Sequence, residues 1–350
     1  MSEMQALIRQ TTTRFFTEQC TPELLGAAEK GQWPADLWHA FEQTGLHLVS
    51  IPEAIGGAGG TLSDAALVLQ IAGQFAVPLP LAEIFLAGWV LADAGLDLPD
   101  GPFTIASAET IQLTQTSNVA RVTGTAAQVP YARHCRYVVA VWRQSESEMK
   151  AGIVPLTPEM VTHHPNLANE PRDTLQFQST PIDKLTTLNT ITLESYQSRG
   201  ALLRTAHMVG ALMTILERSI QYAGEREQFG RPLTKFQAIQ QYLAQMAGEV
   251  AAAQAVMNAS VGSVEQDNSN ARAVVAMAKI RVGEAAGLVS RLAHQVHGAM
   301  GFTQEYPLHF YTKRLWSWRD EFGSEAEWAA WLGQQVAANG AGQFWEFVAR

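Results

Sequence analysis

The segment from Arg226 to Gln237 places charged and amide side chains beside a glycine and a proline, a combination that suits the binding of an anion. Gly230 and Pro232 predict that one helix ends at Gly230 and that another begins after Pro232. Arg226 would then lie in the last turn of the first helix, where a guanidinium can face an anion, and Gln237 would lie one turn into the second. Simple complementarity to the helix dipole is the alternative role for Arg226.

A second segment, residues 295–308, pairs two glycines with polar and aromatic side chains. Gly298 and Gly301 predict the end of a long helix and a backbone that a ligand or another chain can approach closely. An ordinary glycine stop without a ligand is the alternative. His294 and His297 are three residues apart, but no further cysteine, histidine or glutamate completes a metal-binding pattern. We therefore predict packing or hydrogen-bonding histidines and no metal.

Other catalytic patterns do not occur in the sequence. The glycine-rich run Gly56–Gly60 lacks the Gly-Lys-Ser/Thr ending of a phosphate-binding loop and is predicted to be a turn between helices. No Gly-x-Ser-x-Gly motif and no cysteine-centred motif supports nucleophilic hydrolysis. The candidate chemistry therefore rests on the two glycine-containing segments.

The amino-acid composition limits which partners the protein is expected to bind and in which cellular compartment it is expected to lie. The 350 residues include 24 Lys+Arg and 33 Asp+Glu, which gives a formal net charge of −9. An acidic surface argues against binding to nucleic acid or to anionic membranes. The two cysteines, Cys20 and Cys135, indicate a reducing compartment, and the polar stretch Met1–Phe16 lacks the apolar core of a signal peptide. The sequence therefore predicts a cytoplasmic protein.

Hydrophobic periodicity divides the chain into three parts, which we predict to be domains. Residues 1–100 read as short helices, and residues 101–188 read as short strands separated by turn residues. Residues 189–350 carry apolar side chains every three or four positions in long segments, which is typical of bundle helices. The strands are predicted at Ile111–Thr116, Tyr137–Trp142, Ala151–Leu156 and Thr174–Phe177. The predicted fold is mainly α with a small β domain.

The two glycine-containing segments, together with the turn Ser50–Gly60, resemble the acyl-CoA dehydrogenase family. The resemblance covers nearly the whole chain, follows the family's domain order and is weakest in the β domain. The matching positions are Arg226, Phe229, Gly230, Gln237, Gln295, Gly298, Gly301, Phe302, Glu305, Tyr306 and Pro307. The resemblance implies an N-terminal helical domain, a middle β-barrel-like domain and a C-terminal four-helix bundle.

Members of this family oxidise the Cα–Cβ bond of an acyl-CoA with FAD, and a glutamate removes the α proton. FAD lies across a subunit interface, where the β domain of one subunit holds the flavin ring and the partner's bundle contacts the pyrophosphate and adenine half. An electron-transfer flavoprotein usually accepts the electrons. The resemblance assigns FAD contacts to Arg226, Phe229, Gln237, Gln295, Val296, His297, Gly298 and Ser324.

Three departures from the family pattern concern the chemistry. Phe322 stands where the family usually has its catalytic glutamate, and Glu321 lies one residue before it. The other family location for the base falls on Gly200. In the β domain, Ser107–Gln112 and Ala127–Val129 replace the family's flavin-facing segments. Shortened family members with this pattern pair with a longer catalytic subunit, as in enzymes that process steroid side chains or other bulky acyl-CoAs.

Three interpretations follow from these residues. We favour a heteromeric acyl-CoA dehydrogenase subunit that donates adenine-side contacts to FAD bound with a longer partner. The alternatives are a homo-oligomeric enzyme with Glu321 as its base and a flavin-free structural subunit. Tryptophans near the end of the chain predict buried surface between subunits in a dimer or tetramer. They are Trp316, Trp318, Trp328 and Trp331.

Overall fold

The computed structural model describes residues 2–107, 112–116, 119–145, 148–340 and 342. Its N-terminal part is helical, with α1 (Glu3–Gln19), α2 (Pro22–Glu29), α3 (Ala35–Gln43), α4 (Leu62–Gln74) and α5 (Leu81–Ala94). Thr61 caps α4, because its Oγ1 accepts a hydrogen bond from the Asp64 N–H at 3.3 Å. The predicted glycine turn precedes this cap. A Cβ on Gly57 would lie 2.0 Å from the Ile51 carbonyl oxygen, so only glycine fits there.

The middle part consists of β1 (Phe103–Ser107), β2 (Gln112–Thr116), β3 (Val119–Pro130), β4 (Tyr137–Arg143), β5 (Met149–Pro155), β6 (Val161–Thr162), β7 (Arg172–Pro181) and β8 (Asp183–Thr187). Among the described residues these strands form two four-stranded sheets, with the orders β1-β4-β5-β8 and β2-β3-β7-β6. Only the β1–β4 pair is parallel there. Apolar side chains of both sheets, among them Val122, Trp142 and Phe177, form one core.

The four predicted strands correspond to β2, β4, β5 and β7, and Ile111 at the start of the first lies outside the described residues. β1, β3, β6 and β8 were not predicted. β3 is irregular, with register shifts between Val122 and Gly124 and between Ala126 and Val129. These irregularities break the alternation of apolar and polar side chains by which a strand is recognised in a sequence.

The C-terminal part is helical again. It comprises α6 (Leu193–Glu225), a hairpin of β9 (Glu227–Gln228) and β10 (Arg231–Pro232), and then α7 (Gln237–Glu265), α8 (Ala271–His297), α9 (Leu308–Trp318) and α10 (Glu325–Asn339). The apolar face predicted for α8 is buried, since Val275, Val282 and Val289 have no exposed surface. The predicted mainly α fold with a small β part is confirmed.

The described residues fall into two compact units. One contains the chain up to Pro22, Ala66–Val77 and the residues from Ala201 onward, and the other contains Glu23–Ala65 and Pro78–Gly200. Both segments singled out by the sequence belong to the first unit. No helix in the described ranges combines the length and the hydrophobicity that crossing a bilayer requires.

Candidate functional site

The ends of α6 and α8 meet through three aromatic side chains. The ring centroid of Tyr222 lies 4.5 Å from that of His297 and 5.7 Å from that of Tyr306. Nε2 of His297 lies 3.1 Å from the Tyr306 hydroxyl, and its Nδ1 lies 2.7 Å from the Ala293 carbonyl oxygen. These contacts join the end of α6, four residues before Arg226, to the segment 295–308.

His297 is buried in this cluster and uses both ring nitrogens for hydrogen bonds within the chain. Burial lowers the pKa of His297, and the hydrogen bond to Ala293 opposes that shift. A neutral imidazole can donate from Nδ1 to the carbonyl and accept at Nε2 from the Tyr306 hydroxyl. His297 therefore fixes the end of α8 by packing and hydrogen bonding. Val296 is also buried, at 3% exposure, and cofactor contacts by these two residues stay a prediction.

The hairpin after α6 replaces the predicted last helical turn. The predicted helix end at Gly230 is wrong, because α6 ends at Glu225 and Arg226 lies just beyond it. Phe229 and Gly230 at the hairpin tip have φ values of +51° and +76°. Two successive positive φ values are the geometry of a tight two-residue hairpin turn. Likewise Gln237 is the first residue of α7 and not one turn into it.

Arg226 presents its side chain from a fixed backbone. Its N–H donates to the Tyr222 carbonyl at 2.8 Å, and its carbonyl accepts from the Leu233 N–H at 2.8 Å. The residue is exposed, and it forms no ion pair with any carboxylate in the part of the chain that the structure describes. Phe229 at the nearby hairpin tip is 92% exposed. Although Glu225 and Glu227 flank it in the sequence, a guanidinium that is in no ion pair is available to an external anion.

The other exposed residues at these helix ends suit the phosphates of a nucleotide cofactor. Gln237, Gln295 and Gly298 are exposed. Gly298 has φ of +57°, and a Cβ at this position would meet no atom within 4 Å, so the backbone is open to a ligand. Guanidinium and amide donors bind phosphate oxygens, whereas the N–H of Gly298 already donates to the His294 carbonyl. These residues therefore fit the pyrophosphate of the FAD that the family resemblance implies.

The turn between α9 and α10 is held by side chains from other helices. Phe322 and Gly323 have φ values of +56° and +97°, so the turn is not helical. Lys279 of α8 donates from Nζ to the carbonyls of Arg319 and Gly323, the second at 2.7 Å. Trp328 of α10 donates from Nε1 to the Phe322 carbonyl at 2.9 Å.

Glu321, the candidate base on this turn, forms an ion pair with Arg204 of α6. Its Oε2 lies 2.7 Å from Nη2 of Arg204. Arg204 is buried, with its guanidinium 5.6 Å from the Trp318 ring centroid and its Nη1 3.3 Å from Nδ1 of His207. The His207 ring in turn stacks on Trp318 at 5.0 Å. The carboxylate that the sequence offers as a base is therefore engaged by a buried cation.

Lys279 has no exposed surface, although it is charged in ordinary surroundings. Burial lowers the pKa of the Lys279 ammonium to about 8, against the opposing effect of the carboxylates of Glu325, Glu321 and Asp320. The lysine is thus a buried donor that ties α8 to the α9–α10 turn.

Two of the tryptophans assigned to subunit contacts have another role. Trp318 and Trp328 are buried within the chain, at 2% and 5% exposure, so they offer no surface to another subunit. Trp316 remains 36% exposed.

Ser324 caps α10 in a capping box, in which its N–H donates to the Glu327 carboxylate at 2.7 Å. A cofactor contact by Ser324 stays a prediction.

The β domain departs from a regular strand where the family's flavin-facing segment would lie. Ala127–Val129 coincides with a register shift in the β3–β7 pairing, and Gln128 has φ of +59°. In the other replaced segment, residues 108–111 lie outside the described residues. The backbone at Gln128 is therefore bulged where the family has a flavin-facing triplet.

Nothing in the described ranges brings together three His, Cys, Asp or Glu side chains that could hold a metal ion. His294 instead lies 3.3 Å by its Nε2 from the Thr312 hydroxyl and stacks on Phe302, with ring centroids 4.4 Å apart. Both histidines of the His294–His297 pair are therefore engaged in packing and hydrogen bonding, as the sequence predicts.

The comparison with protein families agrees with this arrangement. The pattern described as acyl-CoA dehydrogenase, N-terminal domain, matches residues 2–97. The pattern described as acyl-CoA dehydrogenase, C-terminal domain, matches residues 196–319, which include Arg226 and Gln295. The chain belongs to the acyl-CoA dehydrogenase family.

Individual relatives extend over most of the chain. The acyl-CoA dehydrogenase IpdE2 of Mycolicibacterium smegmatis is 28% identical over 320 residues, which cover 90% of this chain and 93% of the relative. A chain of the ChsE4–ChsE5 complex from Mycobacterium tuberculosis superposes with a TM-score of 0.88 at 22% identity, over 97% and 99% of the two chains. Butyryl-CoA dehydrogenase from Megasphaera elsdenii gives 0.86 at 17% identity, over 96% and 99%. The solved structures share the fold.

Three residues that organise this region had no assigned role in the sequence. Tyr222 lies one helical turn before Arg226, and that spacing could have marked it as the residue that positions the arginine. Arg204 and Lys279 interrupt otherwise apolar helix faces. A charge on a buried face requires a partner, so each could have been marked as part of an internal ion pair or cap.

Proposed function

We propose that this chain is a subunit of a flavin-dependent acyl-CoA dehydrogenase that desaturates an acyl-CoA thioester between Cα and Cβ. Its role is to contribute contacts to the pyrophosphate and adenine half of FAD in a hetero-oligomer with a longer acyl-CoA dehydrogenase subunit. The observation that carries this proposal is the exposed Arg226, held on a fixed backbone one turn after Tyr222, whose ring contacts His297 next to the open Gly298.

The relatives support a heteromeric role. The solved chain with a TM-score of 0.88 comes from a complex of two named proteins, ChsE4 and ChsE5. The bulged β3 at Gln128 supports a flavin ring that is held by a partner's β domain and not by this one. With the family, we also propose a cytoplasmic location and an electron-transfer flavoprotein as the electron acceptor.

Each residue of the helix ends has a separate task in this proposal. When bound, FAD supplies the acceptor for the hydride that leaves Cβ. Arg226 binds phosphate oxygens through charge-assisted hydrogen bonds, and the amides of Gln237 and Gln295 add neutral ones. Gly298 lets the cofactor approach the backbone. The cluster of Tyr222, His297 and Tyr306 acts indirectly, because it holds the ends of α6 and α8 together.

Replacing Arg226 tests the assignment. Arg226→Ala removes a charge-assisted contact worth roughly 1.5–3 kcal/mol, so FAD affinity should fall about ten- to a hundredfold in the assembled protein. The measurement is flavin content per chain and FAD affinity by flavin fluorescence, after co-expression with the longer dehydrogenase subunit. Arg9→Ala, at an exposed position on α1, is the matched control and should leave the affinity unchanged. Unchanged flavin binding in Arg226→Ala would contradict the proposed cofactor site.

A further inference from the structure

An open pocket of about 380 Å³ lies in the middle part of the chain, where β4 begins and β5 ends. One side of it is the segment between β3 and β4, which includes Arg133 and Arg136, and the other consists of residues after β5, among them Leu156 and His163. Ligand pockets in proteins measure about 300–1,000 Å³, so this one can take a small organic molecule. The pocket belongs to the second unit, whereas the residues assigned to FAD belong to the first.

Arg133 is held in a fixed position in this lining. Its backbone N–H donates to Oδ2 of Asp173 at 2.9 Å, and its Nε donates to Oδ1 at 2.9 Å. Nη2 donates to the His164 carbonyl at 3.1 Å, whereas Nη1 makes no hydrogen bond in the part of the chain that the structure describes. Asp173 has no exposed surface and does not line the pocket. The guanidinium is therefore oriented from within the chain and keeps one nitrogen for a ligand.

The charges of the lining favour an anion. Arg136 is exposed and takes part in no ion pair within the described ranges. His163 is exposed as well and adds a positive charge when its ring is protonated. Glu159, which lies between lining residues in the sequence, is not part of the lining, and its carboxylate accepts a hydrogen bond from the Thr157 hydroxyl. Among the described residues, the lining thus contains two arginines and a histidine but no acidic side chain.

Other side chains give the pocket an apolar surface beside these charges. The Tyr137 ring has its centroid 6.0 Å from the Arg136 guanidinium, and Leu156 and Val161 add aliphatic side chains. Cys135 is buried, and burial raises the pKa of its thiol, so this side chain is neutral. A ligand that suits both surfaces has a charged group and an apolar body.

We propose that this pocket binds a small organic anion, whose carboxylate or phosphate group contacts Arg133 and Arg136 and whose apolar body lies against Tyr137 and Leu156. A guanidinium binds either oxyanion through charge-assisted hydrogen bonds. Residues 127–129, which replace a flavin-facing segment of the family, do not line the pocket. The ligand is therefore bound in addition to FAD, and its binding does not depend on the proposed function.

Titration calorimetry of the full chain at low ionic strength, with inorganic phosphate, acetate, phenyl phosphate and benzoate as probes, tests the site. Each phenyl compound should bind at least about tenfold more tightly than its small counterpart, because its ring buries apolar surface. The tighter of phenyl phosphate and benzoate identifies the preferred oxyanion. Benzamide has nearly the shape of benzoate without its charge and should bind at least about tenfold more weakly than benzoate.

A substitution in the lining assigns the binding to this pocket. Arg136→Gln removes an exposed charged donor and should weaken binding of the tighter phenyl probe about tenfold. Arg143→Gln, at an exposed position at the other end of β4 and outside the lining, is the matched control and should leave the affinity unchanged. Benzamide binding as tightly as benzoate, equal affinities of Arg136→Gln and the natural protein, or no binding of any probe up to about 10 mM would each overturn the anion site.

Discussion

The buried Lys279 should give this protein an unusual gain of stability in alkaline solution. Burial lowers the pKa of its ammonium to about 8 in the folded chain, whereas the ordinary value is 10.5. Between these two pH values the unfolded chain binds more protons than the folded one, so the free energy of unfolding rises with pH. Below pH 8 both states are protonated and the cost of burying the charge is fully present.

The size of the effect follows from the two pKa values. Each pH unit between the folded and unfolded values is worth about 1.4 kcal/mol, so the gain attributable to Lys279 is about 3 kcal/mol between pH 8 and pH 10.5. Tyrosines and cysteines of the unfolded chain also titrate in this range, so the absolute stability of the natural protein does not isolate the lysine. The informative quantity is the stability difference between the natural protein and Lys279→Met.

Urea denaturation at half-unit intervals from pH 7.5 to 10.5, followed by tryptophan fluorescence, measures that difference. The natural protein should gain about 3 kcal/mol relative to Lys279→Met across this interval. Lys235→Met, an exposed lysine in the segment before α7, is the matched control and should give a flat difference. A flat difference for Lys279→Met as well would show that Lys279 does not titrate as a buried group, which would refute the reasoning.

Two further predictions concern the second unit. Burial lowers the pKa of His47 to about 4, so its contribution to stability is complete above pH 6.5 and is lost as the pH falls towards 4. In urea denaturation, the free energy of unfolding of the natural protein should therefore fall by about 3 kcal/mol more between pH 7 and pH 4 than that of His47→Gln. Asp93 accepts hydrogen bonds from the N–H groups of Asn189, Thr190 and Ile191 at 2.7, 3.0 and 3.2 Å. Asp93→Asn should cost about 1–3 kcal/mol in thermal unfolding, whereas Asp97→Asn, whose Lys184 partner is exposed, should cost less than about 1 kcal/mol.

The sequence predicted those helices and strands in which one pattern of apolar residues runs without interruption. The faces of α6, α7 and α8 keep a helical period over many turns, and β4 and β5 are nearly continuous apolar runs, so these elements were found. The hairpin at Phe229 was missed, because a positive φ at a phenylalanine has no signature in residue type. Irregular strands such as β3 were missed for a related reason, since each bulge shifts the alternation by one residue.

The spacing of residues placed Arg226 and Gln295 close to the ends of two long helices, although it put the first end at Gly230 and not at Glu225. It could not show what joins the two helix ends. Tyr222 and His297 meet across most of the C-terminal part of the chain, and only the packing of α6 against α8 reveals the contact. The same limit applies to Glu321. Its place beside Phe322 gave no sign of its ion-pair partner Arg204, which lies more than a hundred positions away in the sequence.

The exposed ring of Phe229 at the tip of the hairpin has a consequence for the synthesis of the protein. Burying a phenylalanine side chain releases roughly 1.5–3 kcal/mol, and Phe229 keeps nearly all of that available in the single chain. A copy of the chain without its partner can bury the Phe229 ring against any apolar surface, including the surface of another unpartnered copy. If the chain acts in the hetero-oligomer proposed above, matched synthesis of its two chains, and not only the folding of each, would set the yield of soluble protein. Excess copies of this chain should be lost to aggregation or to proteolysis.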